Sequence, residues 1–133
     1  MYDSELSNLI HIANNSNIWV RKEIYLCFNE EQFQALLKGY KPHWDMRYGI
    51  YLEKDYFYNY RSGFIVGKFK VEKIENNIYQ VTEMYDNPEK NDWNVVFDSL
   101  REACDQNKVD FDLDMYFKMR EKTYEMNLKK NRY

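Results

Sequence analysis

Lys41, Asp45 and Arg47 are the residues whose types and spacing best suit chemistry. A lysine placed just beyond a helix stop binds phosphate, or acts as a base where desolvation lowers its pKa. Asp45 and Arg47 stand two apart, so on a strand they share a face. Together with Lys41 they would hold one anionic ligand while the carboxylate reads a donor. The plain counterparts are a solvated lysine favouring a helix C-terminus and a surface ion pair worth ~0–1 kcal/mol. His43 and Trp44 lie within the same stretch. Histidine titrates near neutral pH, but no serine or cysteine nucleophile stands near His43 in sequence, so a triad is unsupported. Trp44, Tyr48, Tyr51, Tyr56, Phe57, Tyr58 and Tyr60 follow as a dense aromatic run. Exposed, these rings would stack on bases at ~1–3 kcal/mol each, with Arg47, Lys54 and Arg61 supplying charge. The same residues would equally pave a barrel wall, or form a protein-binding patch of the kind Tyr, Trp and Arg dominate.

Other chemistries lack their residues. His11, His43, Cys27 and Cys104 have no metal-ligand spacing. Asp105, Asp110, Asp112 and Asp114 lack the glycine and distal glutamate of a calcium loop, and helix capping explains them better. There is no Gly-x-x-x-x-Gly-Lys, no Gly-x-Gly-x-x-Gly and no nucleophile elbow. No cofactor is expected.

The elements that must position these residues are legible from periodicity. Leu6, Leu9, Ile10 and Ala13 predict a helix over 4–14 behind an Asp3 or Ser4 cap, with His11 placed in its apolar stripe as a structural residue. Alternation over 18–28 predicts a strand. Asn29 with Gln32 forms a capping box for a short helix whose inner stripe is Phe33, Leu36 and Leu37. Gly39 is its natural stop, with Pro42 just beyond. Strands are expected over 47–52 and, as a strand or aromatic loop, 55–61. Residues 63–75 and 78–85 read as a hairpin about an Asn76-Asn77 turn, with Val66, Phe69, Val71 and Ile74 as its core. Helical periodicity returns at Trp93, Val96, Phe97, Leu100, Ala103 and Cys104, and a second helix is expected over 112–120. Alternation over 123–129 reads as a final strand, with a continuing helix as the alternative. Five or six strands interleaved with short helices suit an α+β fold or a small closed barrel with helical decorations.

A chain of 133 residues, 44% apolar and 18% aromatic, is most simply one packed domain, an N-terminal helix over 1–16 and a main body over 18–129. A net charge of −3 gives no sequence-wide attraction to phosphate backbones, so any nucleic-acid site must be local. Two cysteines without a C-x-x-C read as buried free thiols in a reducing compartment. No long apolar segment and no signal-peptide pattern are present, and a cytoplasmic location without membrane contact is expected.

The stretch Leu26-Cys27-Phe28, Phe33 to Lys38, Gly39-Tyr40-Lys41 and Asp45-Met46-Arg47 resembles the opening of ASCH domains, a branch of the PUA-like barrels. That family begins with a strand, a short helix ending in Gly-x-Lys, and an acidic residue two before an arginine. Val66-Gly67-Lys68-Phe69 resembles the family's Val-Gly-x-Phe strand, and 100–120 with 124–129 resembles its late helices and closing strand. Residues 23–129 are covered, with one residue inserted between Lys41 and Asp45. The resemblance implies a small β-barrel with helices at its rim, and RNA or nucleotide binding. In some members it implies hydrolysis of a modified cytidine or of RNA. The amide-hydrolysing branch uses a lysine, a threonine and a glutamate. Lys41 matches the lysine, Asp45 falls where the threonine would be, and Asp105 is the nearest acid to the glutamate. That activity is therefore not expected intact.

The leading expectation is an ASCH-like domain binding RNA or a nucleotide, anchored by Lys41, Asp45 and Arg47 with Trp44 and Tyr48 as stacking surface. Its rival is a small non-catalytic protein-interaction module, of inhibitor or immunity type, using the Tyr/Trp-rich surface. A hydrolase using Lys41, with Asp45 or Asp105, is the third.

Overall fold

The computed structural model describes residues 3–16, 18–39, 48–61, 64–88 and 94–131. They form an α+β fold of six antiparallel strands and four helices. The order is α1 (Asp3–Asn15), β1 (Val20–Lys22), β2 (Cys27–Phe28), α2 (Glu30–Lys38), β3 (Tyr48–Glu53), β4 (Tyr56–Arg61), β5 (Phe64–Glu75), β6 (Ile78–Asp86), α3 (Asn94–Gln106) and α4 (Leu113–Asn131). The sheet runs β1-β6-β5-β4-β3, and β2 also pairs with β6.

Strand alternation gives the sheet two buried faces. Phe57, Phe69, Val81 and Met84 join Leu36 of α2, Phe97 and Leu100 of α3, and Tyr116 and Met119 of α4 in the larger core. On the opposite face Tyr58 and Ile65 pack with Ile10 and Ala13 of α1. The helices therefore sandwich the sheet, three on one side and one on the other. Removing this much apolar surface from water on two faces is the main stabilising term.

Local signals act as expected at several places. The Asn29–Gln32 capping box forms in both directions. Gly39 stops α2 at φ 70°, where a side chain would be strained. The β5–β6 hairpin turns at Asn76-Asn77, with Asn77 alone at positive φ (60°). Asn77 Oδ1 also accepts the Glu30 N–H at 2.9 Å, tying the turn to the start of α2. A Cβ at Gly49 would collide with the far end of the Tyr60 ring, so a side chain there would force that ring to move.

Four expectations are corrected. The sheet does not close into a barrel: β1 and β3 are its two ends. The reason is that 123–129, read first as a closing strand with a continuing helix as the alternative, is the C-terminal part of α4. The strand expected over 18–28 is two short pieces interrupted at 23–26. The edge donors of that segment are met by a helix instead: Cys27 N–H reaches Met119 Sδ at 3.3 Å, Tyr25 N–H reaches Thr123 Oγ1 at 2.9 Å, and Glu23 N–H reaches Asn127 Oδ1 at 3.0 Å. Four helical residues rise ~6 Å and two extended residues ~6.6 Å, so the two repeats stay in step. Finally, individual positions trade places. Ile74, Leu37 and His11 are exposed, while Ala35 takes the inner position expected of Leu37.

Candidate functional site

Lys41, His43, Trp44, Asp45 and Arg47 lie outside the described residues. Tyr48 begins β3, its backbone paired with Arg61. Asp105 is exposed near the end of α3. Of the aromatic run, Phe57 and Tyr58 are buried on opposite faces, and Tyr51, Tyr56 and Tyr60 pack toward α1. This part of the run is a wall of the fold rather than an open platform.

A different group converges on the α1 face. Cross-strand pairing lines up Tyr51, Tyr58, Lys68, Tyr85 and Arg21 in one row over five strands. The neighbouring row pairs Lys70 with Glu83. The helix α1 covers the Tyr58 end, where Asn14 Nδ2 donates to Tyr58 Oη at 3.0 Å. Toward β6 and β1 the rows are partly open to solvent. There the Lys68 ammonium sits among three rings, 5.1 Å from the Trp19 centroid, 4.8 Å from Tyr56 and 5.2 Å from Tyr85. It also donates to Asn14 Oδ1 at 3.1 Å, which accepts from Trp19 Nε1 at the same distance. Such cation–π contacts strengthen as water is excluded.

Glu83 organises the other half of the group. One oxygen accepts from Tyr85 Oη at 2.8 Å and Tyr56 Oη at 3.0 Å. The second oxygen faces Lys70 Nζ at 4.0 Å. The Tyr85 hydrogen bond is the main influence holding the Glu83 carboxyl below its usual range; the Tyr56 bond, Lys70 and Arg21 act in the same sense, against partial burial. Burial lowers the Lys68 pKa, and Glu83 opposes that shift. Burial and donation to Glu83 push Tyr56 up to about 12.

The sign of the last shift gives a pH expectation. The folded state favours the neutral Tyr56 phenol, so its contribution is complete below the ordinary value of 10.0 and is lost as pH rises through about 12. In a phenolate absorbance titration, the difference between wild type and Tyr56→Phe should show a transition near pH 12. A difference transition together with exposed tyrosines near pH 10 would refute the shift.

The groups gathered here, an ammonium and a carboxylate held by the same two phenols, are those of a binding surface. Burial raises the Cys27 pKa and pushes Cys104 up to about 11, so both free thiols are weak nucleophiles near neutrality. Among the described residues no group of three His, Cys, Asp or Glu could hold a metal. His11 is exposed, its Nε2 3.1 Å from Asn15 Nδ2. No described helix is long and apolar enough to cross a membrane.

No known protein family, curated protein or solved structure gives a significant match to this chain.

Reading the sequence as consecutive motifs misses the Lys68 group because its members are spread over 14–85. One signal was available. Counting outward from the Asn76-Asn77 turn pairs Lys70 with Glu83 and Lys68 with Tyr85, as observed, because the two register shifts in between, at Lys73/Glu75 and at Lys70/Val71, cancel.

Proposed function

We propose that the protein is a non-catalytic protein-binding module that docks a partner on the Trp19–Tyr56–Lys68–Glu83–Tyr85 face. The observation that carries this reading is the shared fixation of Lys68 and Glu83 by the same tyrosines. Tyr, Trp and Arg dominate interface hot spots, and groups already held in place lose little freedom on docking. The geometry is less suited to nucleic acid. One face of each ring is taken by the protein's own ammonium, leaving less surface for base stacking. Glu72 and Glu83 stand beside Lys70, so a phosphate would meet both signs of charge. A mixed-charge protein surface is the better complement.

The ASCH-like reading makes the opposite expectation, with RNA or a nucleotide held by Lys41, Trp44, Asp45, Arg47 and Tyr48. One experiment separates the two. The protein is used as bait in nuclease-treated and untreated extracts of its source cells, and the binding of whatever is retained is then measured. A stoichiometric protein partner that survives nuclease, and that binds Tyr85→Ala at least ~30-fold more weakly with unchanged circular dichroism, is the expected result. Retention of nucleic acid, with affinity falling steeply in salt, would overturn it in favour of the other reading.

A further inference from the structure

The docking face holds one charge that the fold does not balance. Glu83 is shared: one oxygen accepts from Tyr56 and Tyr85, and the other faces Lys70 at 4.0 Å. Lys70 also faces Glu72 at 3.8 Å. These three groups compensate one another within the chain. Lys68 stands apart. Among the described residues its ammonium is ion-paired with no carboxylate. Its one hydrogen-bond acceptor there is neutral, Asn14 Oδ1 at 3.1 Å. An ammonium has three N–H donors, so two remain for an incoming group.

The surroundings of Lys68 favour an anion. Trp19, Tyr56 and Tyr85 bring π faces to within about 5 Å of the ammonium, and the side chain keeps partial access to solvent. Burial lowers its pKa, a sign that the charged form has lost water, and Glu83 only partly offsets this. A carboxylate reaching the solvent side of the rings would form a charge-assisted hydrogen bond where attraction exceeds its value in bulk water. A second cation strengthens the preference. Arg21 lies 5.9 Å from the same Tyr85 ring and is also ion-paired with no carboxylate among the described residues. The chain as a whole carries a net charge of −3, so attraction of an acidic group to this face is local.

We infer that the partner presents an aspartate or glutamate carboxylate to the Lys68 ammonium, an inference that rests on the docking reading above. A carboxylate suits the site better than a phosphate. It brings one charge to the one unbalanced ammonium. The second charge of a phosphate would face Glu83, which shares a strand face with Tyr85 two residues along.

The probes are an acetylated and amidated tetraglutamate peptide, its tetraglutamine counterpart and inorganic phosphate. Each is titrated into the full chain at constant ionic strength. The Trp19 indole N–H resonance, assigned by its loss in Trp19→Phe, is the readout. The glutamate peptide should shift it saturably in the millimolar range, the glutamine peptide should not, and phosphate should bind more weakly than the glutamate peptide. Lys68→Gln with unchanged circular dichroism should abolish the shift. Lys68→Met, which keeps the aliphatic stem against the rings, serves where Lys68→Gln unfolds. No shift, an equal shift with the glutamine peptide, tighter binding of phosphate or a shift retained without the ammonium would each overturn the inference. In the complex with a captured partner, Lys68→Gln should weaken binding at least ~10-fold. Tyr85→Ala weakening that complex while Lys68→Gln leaves it unchanged would keep the docking face and overturn the carboxylate. Neither variant weakening it would overturn both.

Discussion

Tyr116→Ala is expected to cost ~3–5 kcal/mol of folding stability, the range for truncating a buried aromatic. Tyr116 is fully buried where α3 and α4 meet. Phe97, Phe111 and Phe117 approach its ring edge-on, with centroids at 5.9, 5.3 and 5.3 Å. The guanidinium groups of Arg101 and Arg120 lie 5.9 and 5.4 Å from the same ring. Its hydroxyl donates to Asp98 Oδ1 at 3.0 Å. Truncation removes the ring, strands the Asp98 contact and leaves a cavity under the start of α4. Domains of this size have ~5–15 kcal/mol in all, so the variant should be near its limit. Tyr116→Phe keeps the ring and loses the hydrogen bond, a loss of about 1 kcal/mol. Urea unfolding followed by circular dichroism measures both. Equal losses for the two variants would show that the hydroxyl, not the packing, holds this junction.

Thr123→Val is the second large effect, expected at ~1–3 kcal/mol from a change of one atom type. The side chain is fully buried, and its hydroxyl lies 2.9 Å from the Tyr25 nitrogen and 3.3 Å from the Tyr25 carbonyl oxygen. Valine fills the same space but leaves the backbone amide buried and unpaired. Asn127→Leu should add a similar loss, since Asn127 bonds both the N–H and the C=O of Glu23. The pair should also aggregate, because α4 shields an edge segment whose amides are otherwise available to another chain. Urea unfolding reads the stability, and light scattering on warming reads the association. Variants within ~0.5 kcal/mol of wild type, with no added scattering, would show that the helix does not act as the missing strand.

The same contacts explain why residues 18–28 and 123–129 are read incompletely from sequence. Alternation in 18–28 is real and marks an extended segment, but it does not name the partner on its outer side. Tyr124, Met126 and Leu128 alternate as a strand would, while Met119, Thr123 and Asn127 recur every fourth residue as a helix requires. The second pattern prevails because those three side chains satisfy Glu23, Tyr25 and Cys27 amides. The barrel expectation fails with the strand.

What the sequence alone determined is local. The capping box at Asn29, the stop at Gly39, the turn at Asn76-Asn77 and the stripes of α1 and α3 depend on neighbours a few residues apart. So does the density of polar and aromatic groups at Lys41 to Tyr48. The tertiary structure decided what depends on distant partners. It set α4 against an edge segment, spent Phe57 and Tyr58 on opposite cores, and gathered Trp19, Tyr56, Lys68, Glu83 and Tyr85 on one face. Such groupings follow from strand register and helix docking, which are set by the balance of packing over the whole chain rather than by any short run of residues.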